Sequence, residues 1–393
     1  MAPKPCDMRL TGARVLREGE LQRRSVVVQQ GLIGKGPLPE VDLSGYLVLP
    51  GIIDMHGDAF ERHVAPRPSA PFPLIDALAA TDRDAAGNGI TTAWLAQSWS
   101  WEGGHRDPDQ AEALAMALAT YRPRMATDLR LQIRCETHLT GTADRLLTLI
   151  DAHGIDYVVF NNHLDDALHA AGTQPVTLAR WAETARRSPA QHLAALRTAK
   201  KNATYVPRFL CRLAEGFDRR GVLYGSHDDP DAETRETYSM IGAKICEFPV
   251  TRAAARLATA VGDPVVMGAP NVVRGGSQAG NASAEDLIEA GHCDALVSDY
   301  HYPSLARAAF ALVDKGLRSL PDAWNLISAN PARIMRLPDR GQIDYGRRAD
   351  LVVIHEQTRQ VEATICAGRI THLTGEAATR FFGAGTELAM AAE

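Results

Sequence analysis

Apolar and polar positions change rhythm twice along this chain. From residue 8 to residue 48 the apolar positions fall in short, β-branched runs broken by glycine, RSVVVQQGLIGKG and then GYLVLP, which predicts short strands rather than helices. The stretch GQIDYGRRADLVVIHEQTRQVEATICAGRITHLTG near the other end has the same texture, with LVVI and VEATICAG as strand-like runs. Two β-rich flanks around a long middle predict a small β-sandwich-like domain assembled from both chain ends, residues 1–48 with 339–375. Between 49 and 338, short apolar runs alternate with amphipathic helical stretches. The strand candidates are LVLPGIIDMH, ITTAWLAQ, LRLQIRCE, IDYVVFNNH, GVLYGSH, KICEFPV, PVVMGAP and CDALVSD. Eight strand–helix units of this length predict an α/β fold, the TIM-type (β/α)8 barrel, whose active-site groups sit at the C-terminal strand ends. Residues 376–393, which end in GAGTELAMAAE, are rich in small side chains and are expected to fray as a tail.

Composition changes this picture little. The 393 residues are 45% apolar and 23% charged, an ordinary globular balance that excludes a disordered chain. A net charge of −5 argues against a nucleic-acid or anionic membrane surface and turns attention to small molecules. The opening MAPKPCDMRLTGARV holds no apolar run of signal-peptide length, and no run of about 18 apolar residues occurs elsewhere, so a cytoplasmic protein is expected. Cys6, Cys135, Cys211, Cys246, Cys293 and Cys366 are scattered without any CxxC spacing, which fits reduced thiols and not a cysteine metal site. A homodimer is the default expectation for such an enzyme.

The chemistry gathers at predicted strand ends. His56 and Asp58 close the first barrel strand in IIDMHGD, and side chains two apart share one face, so both can reach one metal ion. Alone, an HxD pair is as compatible with a solvated strand end. Glu136 ends LRLQIRCE, where the period of two puts Gln132, Arg134 and Glu136 on one face; a surface Arg–Glu pair is the plainer alternative. His163 closes YVVFNNH and His227 closes VLYGSH, each more often structural when taken singly. Asp299, in ALVSDYHYP, ends the last strand and is available to take a proton from a metal-activated water.

In order, these residues resemble the amidohydrolase superfamily. More narrowly, LPGIIDMHGDAFERHVAPRP, RCETH, SHDD, EFPVT, MGAPNVVRGGSQAGN and SDYHYPSL resemble its α-D-ribose 1-methylphosphonate 5-triphosphate diphosphatase family, from about residue 44 to the end. The resemblance implies one or two divalent ions (Zn, Mn or Fe). His56, Asp58 and Asp299 would hold the more buried ion, Glu136 would bridge, and His163 and His227 would hold the second. It also implies cleavage of a phosphorylated small molecule between its α and β phosphorus atoms, with release of pyrophosphate. The lysine inventory agrees with a bridging glutamate: Lys4, Lys35, Lys200, Lys201, Lys244 and Lys315 are the whole set, and none lies between His56 and His163 to supply a carbamate.

A polyphosphate needs cations and N–H donors. Arg67 in APRP and Arg274 in NVVRGGS are the phosphate candidates, against a surface arginine between prolines for the first. Gly275, Gly276 and Ser277 offer backbone N–H groups to an anion, or else form a plain turn. Asn271 and Asn281 would hold a polar ligand or the loop itself. Three segments depart from the family pattern and bear on the substrate: Gln278 stands where the family carries histidine, the first motif is HGD rather than HTD, and SWSWEGGHRDPDQ brings in Trp99 and Trp101. The competing reading is an amidase, cyclic amidase or deaminase with the same metals. Convergence of Arg67, Arg274 and Ser277 favours phosphate, whereas Trp99 inside the pocket favours a nucleobase-like substrate. A barrel without metals, acting as an assembly partner, would leave the complete ligand set unexplained.

Overall fold

The computed structural model describes residues 5–67, 70–277 and 280–391. Eight strands pair in parallel and in sequence order: β1 (Ile52–Gly57), β2 (Ile90–Trp99), β3 (Asp128–Glu136), β4 (Tyr157–Asn161), β5 (Leu223–His227), β6 (Ile245–Glu247), β7 (Val265–Gly268) and β8 (Ala295–Val297). A parallel bridge between Gly57 and Asp299 closes the ring. The apolar runs are near-continuous because both faces are covered: every residue of β1 and β2 is buried. Ile53, Met55, Trp94, Tyr157, Val159, Ile245, Val266, Ala295 and Val297 fill the interior, and Ala332, Ile334 and Met335 plug it from one end. The strands' outer residues pack on the surrounding helices.

All eight predicted strand runs lie in this barrel, with one correction. LVLPGIIDMH is not a single strand: Tyr46–Pro50 pairs antiparallel with Leu351–His355 in a separate six-stranded sheet, and β1 starts only after Gly51. Glycine is required there because a Cβ would lie 2.3 Å from Thr91 Oγ1.

That six-stranded sheet joins strands from both chain ends, Arg14–Arg17, Glu20–Arg23, Tyr46–Pro50, Leu351–His355, Val361–Cys366 and Arg369–Leu373, beside a four-stranded sheet from residues 8–42. Leu47, Leu49, Val352 and Ile354 face the core between the barrel strands and their helices, whereas Val48, Leu351, Val353 and Ala363 face a second core shared with the four-stranded sheet. The expected C-terminal tail is instead a helix, Gly375–Ala391, whose Ala377 and Phe381 enter that second core. Between β4 and β5 the chain makes an excursion through helices Leu164–Thr173, Pro175–Thr184 and Pro189–Lys201, where Trp101 packs against Leu164, Ala167 and Leu196. Among the described residues no helix is long and apolar enough to cross a membrane.

Candidate metal centre and substrate cavity

The barrel mouth begins with its seam. Asp299 N donates to His56 O at 3.0 Å and Asp58 N donates to Asp299 O at 2.9 Å, so the first and last strands hold each other through residues that carry chemistry. A register irregularity in β1 falls between Asp54 and Gly57, and such bulges re-aim side chains near sites. Three residues just past strand ends adopt left-handed backbone: Asp228 after β5 (φ 58°), Phe248 after β6 (φ 50°) and Asp299 after β8 (φ 54°). Strain of this kind persists only where the surroundings over-determine it, and it gathers at functional sites.

Glu247, at the end of β6, lies 2.8 Å from His56 Nδ1 and 3.1 Å from His227 Nδ1 through the same oxygen, Oε2. Its other oxygen accepts from Gln132 Nε2 (2.7 Å) and Tyr157 OH (2.6 Å). His56 and His227 stack with centroids 5.0 Å apart. On the other side of His227, Asp228 Oδ2 is 3.5 Å from His227 Nε2 and 3.2 Å from His163 Nε2. His163 Nδ1 is 3.2 Å from Glu136 Oε1, which also accepts from Asn161 Nδ2 at 2.9 Å. Glu102, from the loop after β2, completes that end, with ligand atoms of Glu102, Glu136 and His163 all within 4.8 Å of one another.

The donors therefore form an arc of three overlapping groups: His56, His227 and Glu247; His163, His227 and Asp228; and Glu102, Glu136 and His163. Imidazole nitrogens with carboxylate oxygens suit a divalent ion of the Zn, Mn or Fe kind. The fit has a direct mark. His56 Nδ1 is buried without a hydrogen bond although Glu247 Oε2 is 2.8 Å away, so the two donor atoms approach out of line for N–H donation, an arrangement suited to a shared cation.

Charge states follow from burial and neighbours. Burial draws His227 down to about 4, leaving a neutral ring with a lone pair for a ligand. Burial also opposes ionisation of Glu247, but His56 and His227 hold that carboxyl well below its usual range. Burial opposes a charge on His163 too, yet hydrogen bonds to Asp228 and Glu136 lift it to about 9. Asp299 moves the other way: burial, with the charge of Asp58 behind it, raises the carboxyl to about 7.

His56, Asp58, His227, Asp228 and Asp299 open on a cavity of about 340 Å³ that Arg134, Arg274, Gly276, Ser277, Asn271 and Asn281 also line. Arg274 Nη1 donates to Tyr300 OH at 3.2 Å. The structure corrects one substrate-site expectation and decides between the stated alternatives for others. Arg67 is exposed, bridges to Ala70 and does not line the cavity. Gly275 and Gly276 spend their N–H groups on Val272 O (3.3 Å) and Asn271 O (2.9 Å), closing the helix Ala269–Arg274 in a plain turn. The Asn271 side chain holds the loop itself, through Ala282 O and Ala284 N. Gln278 lies outside the described residues. Trp99 is a fully buried core residue bonded to Thr142 Oγ1, and neither it nor Trp101 lines the cavity.

Glu247, Asp228 and Glu102 were missed from sequence. Glu247 had a usable signal: it ends KICEFPV as His227 ends its own strand. Asp228 stands in SHDD, next to His227. Glu102 had none, because only the folded excursion explains its place: Arg187 Nη1 donates to Trp101 O and Glu102 O at 3.0 Å each.

A barrel of this topology with donors of this kind at its mouth is that of the amidohydrolase superfamily. Solved structures agree on the fold: a β-aspartyl dipeptidase from Fervidobacterium islandicum AW-1 (TM-score 0.62, 15% identity, 95% of this chain and 97% of that one), and a protein described as an amidohydrolase (TM-score 0.62, 12% identity, 94% and 100%). No family model matches the chain. In sequence it is 31% identical over 377 residues to the α-D-ribose 1-methylphosphonate 5-triphosphate diphosphatase of Escherichia coli (strain K12), across 90% of this chain and 97% of that protein. The chain belongs to that diphosphatase family and is a hydrolase.

Proposed function

We propose that this protein is a metal-dependent diphosphatase that cleaves the α–β phosphoanhydride of α-D-ribose 1-methylphosphonate 5-triphosphate, or a close analogue, and releases pyrophosphate in phosphonate catabolism. The observation that carries this reading is the cavity lining, where Arg134, Arg274 and Ser277 share one space with His56, Asp58, His227 and Asp299 while Trp99 stays in the core. An amide or nucleobase pocket would not need two arginines. The activity named for the Escherichia coli relative supports the same substrate.

His56, Asp58, His163, His227 and Asp299, with Glu136 and Glu247, would hold one or two divalent ions. Such an ion, when bound, supplies positive charge and makes water more acidic. The chain's own groups do the rest. Asp299, at the seam beside Asp58 and open to the cavity, would take the proton from the attacking water and pass it on. The water oxygen bonds to phosphorus, the anhydride P–O bond breaks, and pyrophosphate leaves with the bonding pair. Arg274 at the rim neutralises the chain of phosphates. Glu136 takes the place of a lysine carbamate, so activation requires no bicarbonate.

The test is turnover of purified, metal-loaded protein against ribosyl triphosphates and cyclic amides side by side. Hydrolysis of the triphosphate is expected; ring opening without it hands the site to the amidase reading.

A further inference from the structure

An arginine stands among the candidate metal donors. Arg134 projects from β3 between Gln132 and Glu136, is 8% exposed, and lines the same cavity as Asp58, Asp228, Asp299 and Arg274. Its Nη2 donates to His227 Nε2 at 3.2 Å, its Nη1 is 3.6 Å from Asp58 Oδ2, and its buried Nε makes no hydrogen bond. A guanidinium carries five N–H donors and no acceptor. Here it spends them on one neutral nitrogen and one carboxylate beyond hydrogen-bond reach, a poor return for a buried cation.

The two groups it touches are also candidate metal donors. The lone pair of His227 Nε2 serves an arginine or a metal ion, not both, and a bound cation repels the guanidinium besides. Once those partners are taken, the fork has the cavity to turn to. Arg134 and Arg274 are the only Arg or Lys side chains among its described lining residues, against three carboxylates. A polyanion entering there meets Arg274 beside Tyr300 and Arg134 beside the donors.

We propose that Arg134 is a catalytic anion-binding residue whose planar fork takes two oxygens of the phosphoryl group under attack, while Arg274 holds the phosphates beyond it. That it acts during anhydride cleavage rests on the diphosphatase reading; that it binds a phosphoryl oxyanion does not.

The experiment titrates inorganic phosphate into metal-loaded wild type, Arg134→Met and Arg134→Lys by calorimetry, and measures metal content and chelator-competed metal affinity on each. The expected result is about tenfold or greater weakening of phosphate binding in Arg134→Met, the scale of a charge-assisted hydrogen bond, partial recovery in Arg134→Lys, and metal affinity equal to wild type or tighter because a competitor is gone. Unchanged phosphate affinity overturns the proposal. So does loss of metal together with phosphate binding, which would make Arg134 a brace for Asp58 and His227. If Arg134→Met fails to fold, Arg134→Lys decides alone: weaker phosphate binding at full metal content upholds the assignment, and wild-type affinity overturns it. A wild type that binds phosphate through Arg134 yet turns over only cyclic amides would sink the diphosphatase reading and leave the anion site standing.

Discussion

His56 Nδ1 and Glu247 Oε2 lie 2.8 Å apart, both buried at the barrel mouth, and the nitrogen has no hydrogen bond. The same oxygen reaches His227, so one carboxylate lies against two imidazoles. Whether it binds the ion or orients the rings, its loss should be felt in metal affinity. Glu247→Gln is expected to weaken metal binding by about 10-fold to 100-fold with the fold intact by circular dichroism. Wild-type affinity in chelator competition would remove Glu247 from the centre.

The glycine of the HGD motif belongs to the seam and not to the substrate. A Cβ on Gly57 would lie 2.7 Å from Asp54 Oδ2, 2.8 Å from Ser298 Oγ and 3.1 Å from Tyr302 Cε1. Asp54 is fully buried and accepts from Ser298 N (2.9 Å) and Oγ (2.6 Å), so it cannot easily move aside. Gly57→Thr should therefore cost about 1–3 kcal/mol, as overpacking does, and lower Tm by several degrees. A variant as stable as wild type that instead changed substrate preference would return the motif to the pocket.

Protons and a bound divalent ion would compete for the same atoms. Asp299 at about 7 and His163 at about 9 both sit above their ordinary ranges, so the metal-free fold holds protons that the unfolded chain has released. Their contribution to stability is present at low pH and is lost as pH rises through those values. Asp299 gives up its share between about pH 4 and 7 and His163 between about 6.5 and 9, so metal-free protein is expected to lose stability through His163 between about pH 7 and 9, and metal binding within that window should release protons. Calorimetry in two buffers of different ionisation enthalpy reads the release directly; identical heats in both would contradict these charge states.

Arg274 separates the phosphate reading from its rival. A charge-assisted contact that strengthens as phosphoryl charge builds is worth roughly 2–4 kcal/mol, so Arg274→Ala should lower kcat/KM for a ribosyl triphosphate about 30-fold to 1000-fold while metal content stays complete. Wild-type kinetics in that variant would remove Arg274 from the substrate.

The barrel was legible because its strands are buried on both faces and read as apolar runs, and the strand-end residues followed from a period of two: Gln132, Arg134 and Glu136 all turn inward as that period requires. Geometry beyond a single strand was not legible. That LVLP and IIDMHG serve different sheets depends on a pairing with residues 351–355, three hundred positions away in order of magnitude. The glycine loop stayed open between an anion nest and a plain turn because GGS carries no sign of the helix Ala269–Arg274, whose carbonyls claim the N–H groups of Gly275 and Gly276. Glu102 and Trp101 depend on helices after residue 163 folding back over the mouth.

The most direct measurement of the central claim is phosphorus NMR of α-D-ribose 1-methylphosphonate 5-triphosphate incubated with metal-loaded protein. The account predicts pyrophosphate and a ribose 5-phosphate that retains its C1 phosphonate, in equal amounts and without free inorganic phosphate. Release of inorganic phosphate from the γ position, or an unchanged spectrum from a protein that opens a cyclic amide, would contradict it.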